Sequence, residues 1–325
     1  MTDSHKYSLS IFIGKELLAL TVSYTFLIEK ARERGNNMVI DFRTRPPFKS
    51  FVTGGNFFPR PMEDQFSKPE DVPGIYCNSK DIESARKGEF DLYIKELAGS
   101  GIDLQIVQGR QVRSGMAHVE NDDVCELATI YPDKFIAFPA IDISNVPQAL
   151  VEIERCVKLY QIKGIAIEPG WCDPPRYVDD PCLNPIYEKC EELGLICAFT
   201  LSVLAGEDLS YCNPITLQKT ALRFPRVVFT VSHGCWPFVE EFLGVALQCM
   251  NIYLYPDFFC CLPNMPFADQ FVRAANSFMR YRMMFATSYP VRPLKQSLEQ
   301  FLELPFEEEV KEFLLYKNAQ RILGL

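Results

Sequence analysis

Residues 38–47 read Met38-Val39-Ile40-Asp41-Phe42-Arg43-Thr44-Arg45-Pro46-Pro47. Three apolar residues run into an aspartate, two arginines alternate with a threonine, and two prolines stop the run. A buried parallel strand of an α/β protein meets its active-site face in this way, apolar along its length and abruptly charged at its end. Strict alternation places Asp41, Arg43 and Arg45 on the same side. Two guanidinium groups so close repel each other unless an anion or an acidic partner lies between them. The planar fork of arginine suits a carboxylate or phosphate held through two bonds. The competing reading pairs each arginine with an acidic neighbour within the fold.

Downstream of this stretch, short apolar runs alternate with amphipathic ones. Strands are expected at 38–42, 102–107, 135–140, 162–167, 196–199, 227–231, 252–254 and 282–285. Helices are expected at 79–98, 121–130, 146–159, 181–193, 214–224, 237–248 and 268–279, with a helical region over 294–323. Proline opens several of these helices, where its missing N–H is no loss, and Gly194 is placed to cap one of them. Alternation of this kind builds a parallel sheet. Eight repeats fit a closed (β/α)₈ TIM barrel, and no glycine-rich dinucleotide fingerprint follows the first strand. Residues 46–78 form a long Pro- and aromatic-rich insertion after strand one, expected over the barrel mouth. Residues 1–37 stand apart as an N-terminal extension, expected to be helical from about Lys15 to Arg34. Their apolar run is too short to span a bilayer. The domain proper runs over 38–325.

Hydrophobic residues make up 48% of the 325 and charged residues 23%, which supports a large core. A net charge of −9 disfavours a nucleic-acid partner and an anionic membrane surface. The twelve cysteines and three histidines show no zinc-finger spacing. Cys156, Cys190, Cys197 and Cys249 fall at apolar positions and read as reduced core residues of a cytoplasmic protein.

The expected strand ends carry a polar ring: Arg43 and Arg45, Gln108 and Arg110, Asp142, Glu168, Thr200 and Ser202, His233, Asp257, then Thr287, Ser288 and Tyr289. Some of these, Asp142, Thr200 and Ser202 above all, can equally be caps or turn residues. His233 follows a buried strand and precedes Gly234, so it reaches the mouth, where an imidazole can act as acid, base or ligand. His118 reads as a loop or helix-start residue, and His5 lies in the extension.

Several segments resemble the amidohydrolase-related branch of the amidohydrolase superfamily, metal-dependent (β/α)₈ hydrolases and decarboxylases of small, often carboxylated ring compounds. Val39-Ile40-Asp41 is similar to the family's first strand, and Tyr131-Pro132-Asp133-Lys134-Phe135 to its lead into strand three. Ile162 to Ile165 and Asp180 to Leu195 resemble its fourth strand and helix, and Ser232-His233-Gly234 its strand-six His-x-Gly. Met284 to Pro290 and Asn318 to Leu323 are similar to its last strand and closing helix. The departures lie in the metal ligands that the resemblance implies. Arg43 and Arg45 stand where the family has His-x-His, Thr200 to Ser202 where it has the strand-five histidine, and Ser288 where it has the strand-eight aspartate. His233 alone is kept. Arginine has no lone pair to give, and catalytic zinc takes three protein ligands.

The resemblance thus implies a divergent TIM-barrel member acting on a small anionic organic substrate. The expected reaction is metal-independent hydrolysis of a carboxylated amide, ester or lactone. Arg43 and Arg45 would form the anion site with Tyr289 and Ser288 beside them, and His233, Asp257 and Glu168 would move protons. A decarboxylase (lyase) of the same superfamily is the first alternative, and a catalytically silent metabolite-binding barrel the second. No cofactor is expected, the alternative being a single divalent metal on a site rebuilt from Glu168, His233 and Asp257. Neither a nucleic acid nor a membrane is expected as partner, and a homo-oligomer is allowed. If the extension is separable from the domain, a shortened chain beginning at Met38 keeps its melting temperature. A fall of several degrees would instead mean that the extension buries apolar area on the barrel.

Overall fold

The structure is a computed structural model that describes residues 38–53, 82–262 and 264–325. The expected extension over 1–37, most of the insertion over 46–78 and the start of the helix expected from Ser79 lie outside the described residues. Parallel strands β1 (Ile40–Thr44), β2 (Leu104–Gln108) and β3 (Phe135–Phe138) form one ladder. Strands β4 (Gly164–Ile167), β5 (Ile196–Thr200), β6 (Phe229–Ser232) and β7 (Ile252–Tyr255) form a second. Two seams join them. At the first, the Ala166 amide donates to Pro139 and the Ile141 amide to Ala166, at 2.9 and 3.0 Å. At the second, residues 282–289 replace a regular eighth strand. They bond β7 through Leu254 to Arg282 (2.9 Å) and Met284 to Leu254 (2.8 Å), and β1 through Phe42 to Phe285 and Arg45 to Tyr289, both 3.0 Å. The ring is a (β/α)₈ barrel whose last stave is irregular.

Alternation divides the strand side chains into two layers. Ile40, Phe42, Leu104, Ile106, Ile136, Phe138, Ile196 and Ala198 fill the barrel interior. Val107, Ile165, Ile167, Cys197, Phe199, Phe229 and Val231 face the helices. Strand β1 breaks this rule midway. Asp41 lies opposite Gln105 but Thr44 lies opposite Val107, so β1 carries one residue more than β2 between these points, a β-bulge. Asp41 therefore does not share a side with the arginines, as strict alternation would have it. It faces the helix layer with Gln105, while Arg43 and Arg45 both turn into the mouth.

Asp41 is fully buried and holds the bulge in place. Its Oδ1 accepts from the Arg43 and Thr287 amides (3.1 and 2.9 Å), and its Oδ2 from Gln105 Nε2 and Thr287 Oγ1 (2.9 and 2.7 Å). Tyr93 extends the network, donating to Gln105 Oε1 and meeting Thr44 Oγ1. Burial pushes the carboxyl up to about 6, against the pull of these donors.

Most helices lie close to their expected places, among them Asn121–Ile130, Val146–Tyr160, Asn184–Leu193, Pro214–Arg223 and Val239–Gln248. The helix expected to end at Ala98 is broken at left-handed Gly88 into Glu83–Lys87 and Phe90–Ala98. The terminal region divides at extended Leu304, ahead of Pro305, into Leu294–Glu303 and a second run from Glu308. Among the described residues no helix is long and apolar enough to cross a membrane.

The floor of the barrel sets one tight constraint. A Cβ on Gly164 would lie 2.6 Å from the Phe138 ring and 2.7 Å from the Ile196 carbonyl oxygen. Phe138 can fill the interior only because β4 begins without a side chain. Gly164→Ala should therefore destabilise the fold by about 1–3 kcal/mol, the usual cost of overpacking. Urea unfolding measures this, and an unchanged midpoint would mean that the floor has slack.

Candidate active site

Glu168, His233, Asp257 and Ser288 follow the apolar stretches of β4, β6, β7 and the irregular last stave, and the barrel brings all four together with Arg43 and Arg45. Arg43, Arg45, Glu168, His233 and Asp257 are between 2% and 6% exposed, so their charges answer chiefly to one another.

The mouth has two halves. In the first, Glu168 lies between two guanidiniums. Arg45 Nη2 donates to its Oε1, and Arg110 Nε to its Oε2 at 3.0 Å. Arg45 also donates from Nε to the Gln108 carbonyl (3.1 Å) and from Nη2 to that of Gly109 (3.3 Å). Burial alone would raise the Glu168 carboxyl, but Arg110, Arg45 and Arg43 outweigh it and hold the group at about 2. Glu168 thus stays ionised and is a poor proton donor.

In the second half, Arg43 Nη1 lies 2.6 Å from His233 Nε2 and 3.3 Å from Ser288 Oγ, and Nη2 lies 3.4 Å from Thr200 Oγ1. His233 Nδ1 lies 2.7 Å from Asp257 Oδ2. A guanidinium is donor only, so Nε2 must accept from Arg43 and the ring proton sits on Nδ1, which is close to Asp257 Oδ2 but not aligned with it as a hydrogen bond. His233 is therefore neutral in this arrangement. Burial lowers its pKa and Arg43 lowers it further, while Asp257 opposes both. Phe258 and Phe259 flank the ring, with centroids 5.4 and 5.6 Å away.

The backbone is contorted where these groups are displayed. His233, Gly234 and Cys235 are successive left-handed residues (φ 65°, 59° and 55°), and Asp257 and Ser288 have φ of 47° and 56°. Each such non-glycine residue costs about 1–3 kcal/mol, and strain of this kind gathers at functional sites. Gly234 is required twice over, since a Cβ there would also lie 2.6 Å from the Phe271 ring.

Tyr289 is not brought to the mouth. Its hydroxyl meets Ser84 Oγ at 2.7 Å, its ring packs on Tyr93, and only its backbone reaches β1. Asp142 and Ser202 cap turns, accepting from the Ser144 and Leu204 amides. Thr200 binds Arg43. Arg110, half of the clamp on Glu168, was visible as a strand-end residue, but nothing in its spacing tied it to Glu168. His118 lies outside the mouth, its ring near Gln111 and Glu120.

The residues present do not fit the divalent metal that the family implies. The Nε2 lone pair that would coordinate it is given to Arg43, and Asp257 lies 2.7 Å from the other ring nitrogen. Among the described residues no group of three or more His, Cys, Asp or Glu side chains could share an ion.

Comparison with known proteins agrees with this fold. The amidohydrolase family model matches residues 79–325, and the chain belongs to that family. A solved structure, the uncharacterised TIM-barrel protein Bb4693 from Bordetella bronchiseptica, is 34% identical over 88% of this chain and 98% of that one, with a TM-score of 0.79. Two curated relatives are decarboxylases. The 2-amino-3-carboxymuconate-6-semialdehyde decarboxylase of Dictyostelium discoideum is 28% identical over 32% of this chain and 31% of its own length. The gamma-resorcylate decarboxylase of Rhizobium radiobacter is 25% identical over 41% and 47%. The matches thus span less than half of either curated relative. Neither relative's name is that of a hydrolase, so the named relatives side with the lyase alternative.

The Glu168 clamp yields a prediction. The carboxyl is held well below its ordinary 4.5, so its contribution to stability is complete above about pH 4.5 and is lost as pH falls through about 2. Glu168→Gln leaves two buried guanidiniums without a counter-charge and should cost about 3–5 kcal/mol at neutral pH. The gap between wild type and variant should narrow as pH falls through that range. Urea unfolding at several pH values tests this, and a gap independent of pH would overturn the assignment.

Proposed function

We propose that the chain is a lyase that removes CO₂ from a small, hydroxylated aromatic or enolic carboxylate, with Arg43, His233 and Asp257 as its working groups and no metal ion. The observation that carries this reading is the chain of contacts from Arg43 through His233 to Asp257. Decarboxylation of such a substrate needs a cation to hold the carboxylate and an acid to protonate the carbon that bears it. Arg43 supplies the first and protonated His233 the second, with Asp257 orienting the ring and stabilising its positive charge. The proton goes from Nε2 to carbon, the bond to the carboxylate breaks, and its electron pair restores the ring or enol as CO₂ leaves. Hydrolysis asks more of the site. It needs an activated water, arginine cannot lower the pKa of water by coordination as a metal does, and the Nε2 lone pair with which His233 could act as a general base is engaged by Arg43. The names of the two curated relatives support the lyase over the hydrolase.

Arg45 and Arg110, locked on Glu168, give the mouth a fixed positive wall, and Ser288 and Thr200 steady Arg43. In the test, 2,6-dihydroxybenzoate and related hydroxybenzoates are incubated with chelator-treated protein and CO₂ is measured. Turnover is expected. It should fall by about 10²–10⁴-fold in His233→Asn, the range for a general acid. Arg43→Met should lose about 1.5–3 kcal/mol of substrate binding. Release of acid from lactones or amides without CO₂ from any carboxylate would return the assignment to a hydrolase. Stabilisation by carboxylates without turnover would make the barrel a binding protein.

A further inference from the structure

The contact between Arg43 and His233 poses a problem for any reaction in which His233 donates a proton. With Nη1 at 2.6 Å the lone pair of Nε2 is already engaged by a permanent cation. Protonating that nitrogen while the contact stands would set N–H against N–H and cation against cation. The groups facing the ring do not remove the difficulty. Asp257 lies on the far side, at Nδ1, while Thr200 and Ser288 bind the guanidinium without charge. Glu168 favours the imidazolium but is clamped by Arg45 and Arg110. Phe258 and Phe259 offer no acceptor. Left alone, the site keeps His233 neutral.

An arriving carboxylate changes this. We infer that anion binding at Arg43 and proton uptake by His233 at Nε2 are one coupled event. The carboxylate takes the guanidinium donors, Nε2 loses its partner, and a proton from solvent fills the vacated position, with Asp257 balancing the new charge across the ring. Arg43 is held loosely enough to permit the exchange. Its nearest carboxylate, Asp257, is 4.0 Å away, its two hydroxyl contacts are long, and its buried Nε has no hydrogen-bond partner among the described residues. Arg45, bound directly to a carboxylate and two carbonyls, lacks that freedom. The inference rests on the lyase reading for the identity of the anion. It adds that the proton consumed in decarboxylation is loaded by substrate binding, so that the acid is armed only when a carboxylate is in place.

The full-length protein has only three histidines, so His233 can be followed by NMR once His5→Gln and His118→Gln variants assign the others. In the free wild type the expected state is a neutral ring with its proton on Nδ1, titrating below an ordinary imidazole. Arg43→Met should raise the titration by about one pH unit or more, the scale of one adjacent charge. Arg43→Gln serves the same purpose if the first variant does not fold. Saturation of the wild type with 2-hydroxybenzoate should raise it likewise. Calorimetry in two buffers of different ionisation enthalpy should show protons taken up with that anion in the wild type and not in His233→Asn. A free wild-type ring already charged near neutral pH would overturn the coupling, as would a titration indifferent to Arg43. The two readings fail separately: a coupled His233 with no CO₂ release from any carboxylate removes only the lyase, and CO₂ release with an uncoupled His233 removes only the coupling.

Discussion

The architecture of the mouth depends on one buried carboxylate that is not in it. Asp41 sits on the outer side of β1, desolvated by the helix layer, and takes hydrogen bonds from two backbone amides, an amide side chain and a hydroxyl. Burying an ionised carboxyl without such donors costs several kcal/mol, so the bonds constrain geometry as well as offset that cost. They fix the Arg43 amide in the bulged position and tie Thr287 of the irregular last stave to β1. Without the bulge, alternation would send Arg43 outward with Asp41 and turn Thr44 inward. Residues separated by one share a side in any strand; the bulge shifts their parity, so that both arginines face the mouth rather than the helix layer that takes Asp41.

That placement gives the two arginines different fates. Arg45 and Arg110 enclose Glu168 in a cluster that breaks only at a large cost, since removing any member leaves buried charge unbalanced. Arg43 instead meets an imidazole, two hydroxyls and a carboxylate at the limit of contact. The first half is rigid and provides a fixed field. The second contains the groups that can exchange partners, and it is displayed on the strained residues His233, Asp257 and Ser288. Division into a braced part and a labile part is what a site needs if a proton is to move while the frame stays still.

The sequence made the barrel legible because its strands are short apolar runs with period-two layers and its helices carry apolar stripes and proline starts. The strand-end positions of His233, Asp257, Glu168, Arg43 and Arg45 followed from that reading. The bulge was hidden, since an extra residue in a strand looks like any other. Asp41 was therefore placed with the arginines, and only pairing with β2 reverses it. Tyr289 was misleading for the same reason of parity: its neighbour Ser288 faces the mouth, while its own ring belongs to the layer of Tyr93 and Ser84. The partition of the arginines, one pairing with an acid as the bland reading had it and the other with a histidine, depends on contacts between β1, β4 and β6 that no local pattern encodes.

Arg43 and Arg45, where the resemblance implies the family's His-x-His, place positive charge in the mouth but limit what that charge can do. A divalent metal attracts an anion and also acidifies a water bound to it, and this second property serves metal-dependent hydrolysis. A guanidinium attracts and orients, yet it binds water only as a hydrogen-bond donor, and its hydration shell is no more acidic than the solvent in any useful degree. The proposed chemistry begins from a substrate that already carries the negative charge and finishes with a group that delivers a proton. Carboxylates that leave as CO₂ meet both conditions, since the nucleophile is the electron pair of the breaking bond itself. In the reading proposed above, Arg43 would also control the acid, because the cation that receives the carboxylate is the one that engages His233 Nε2 in its absence.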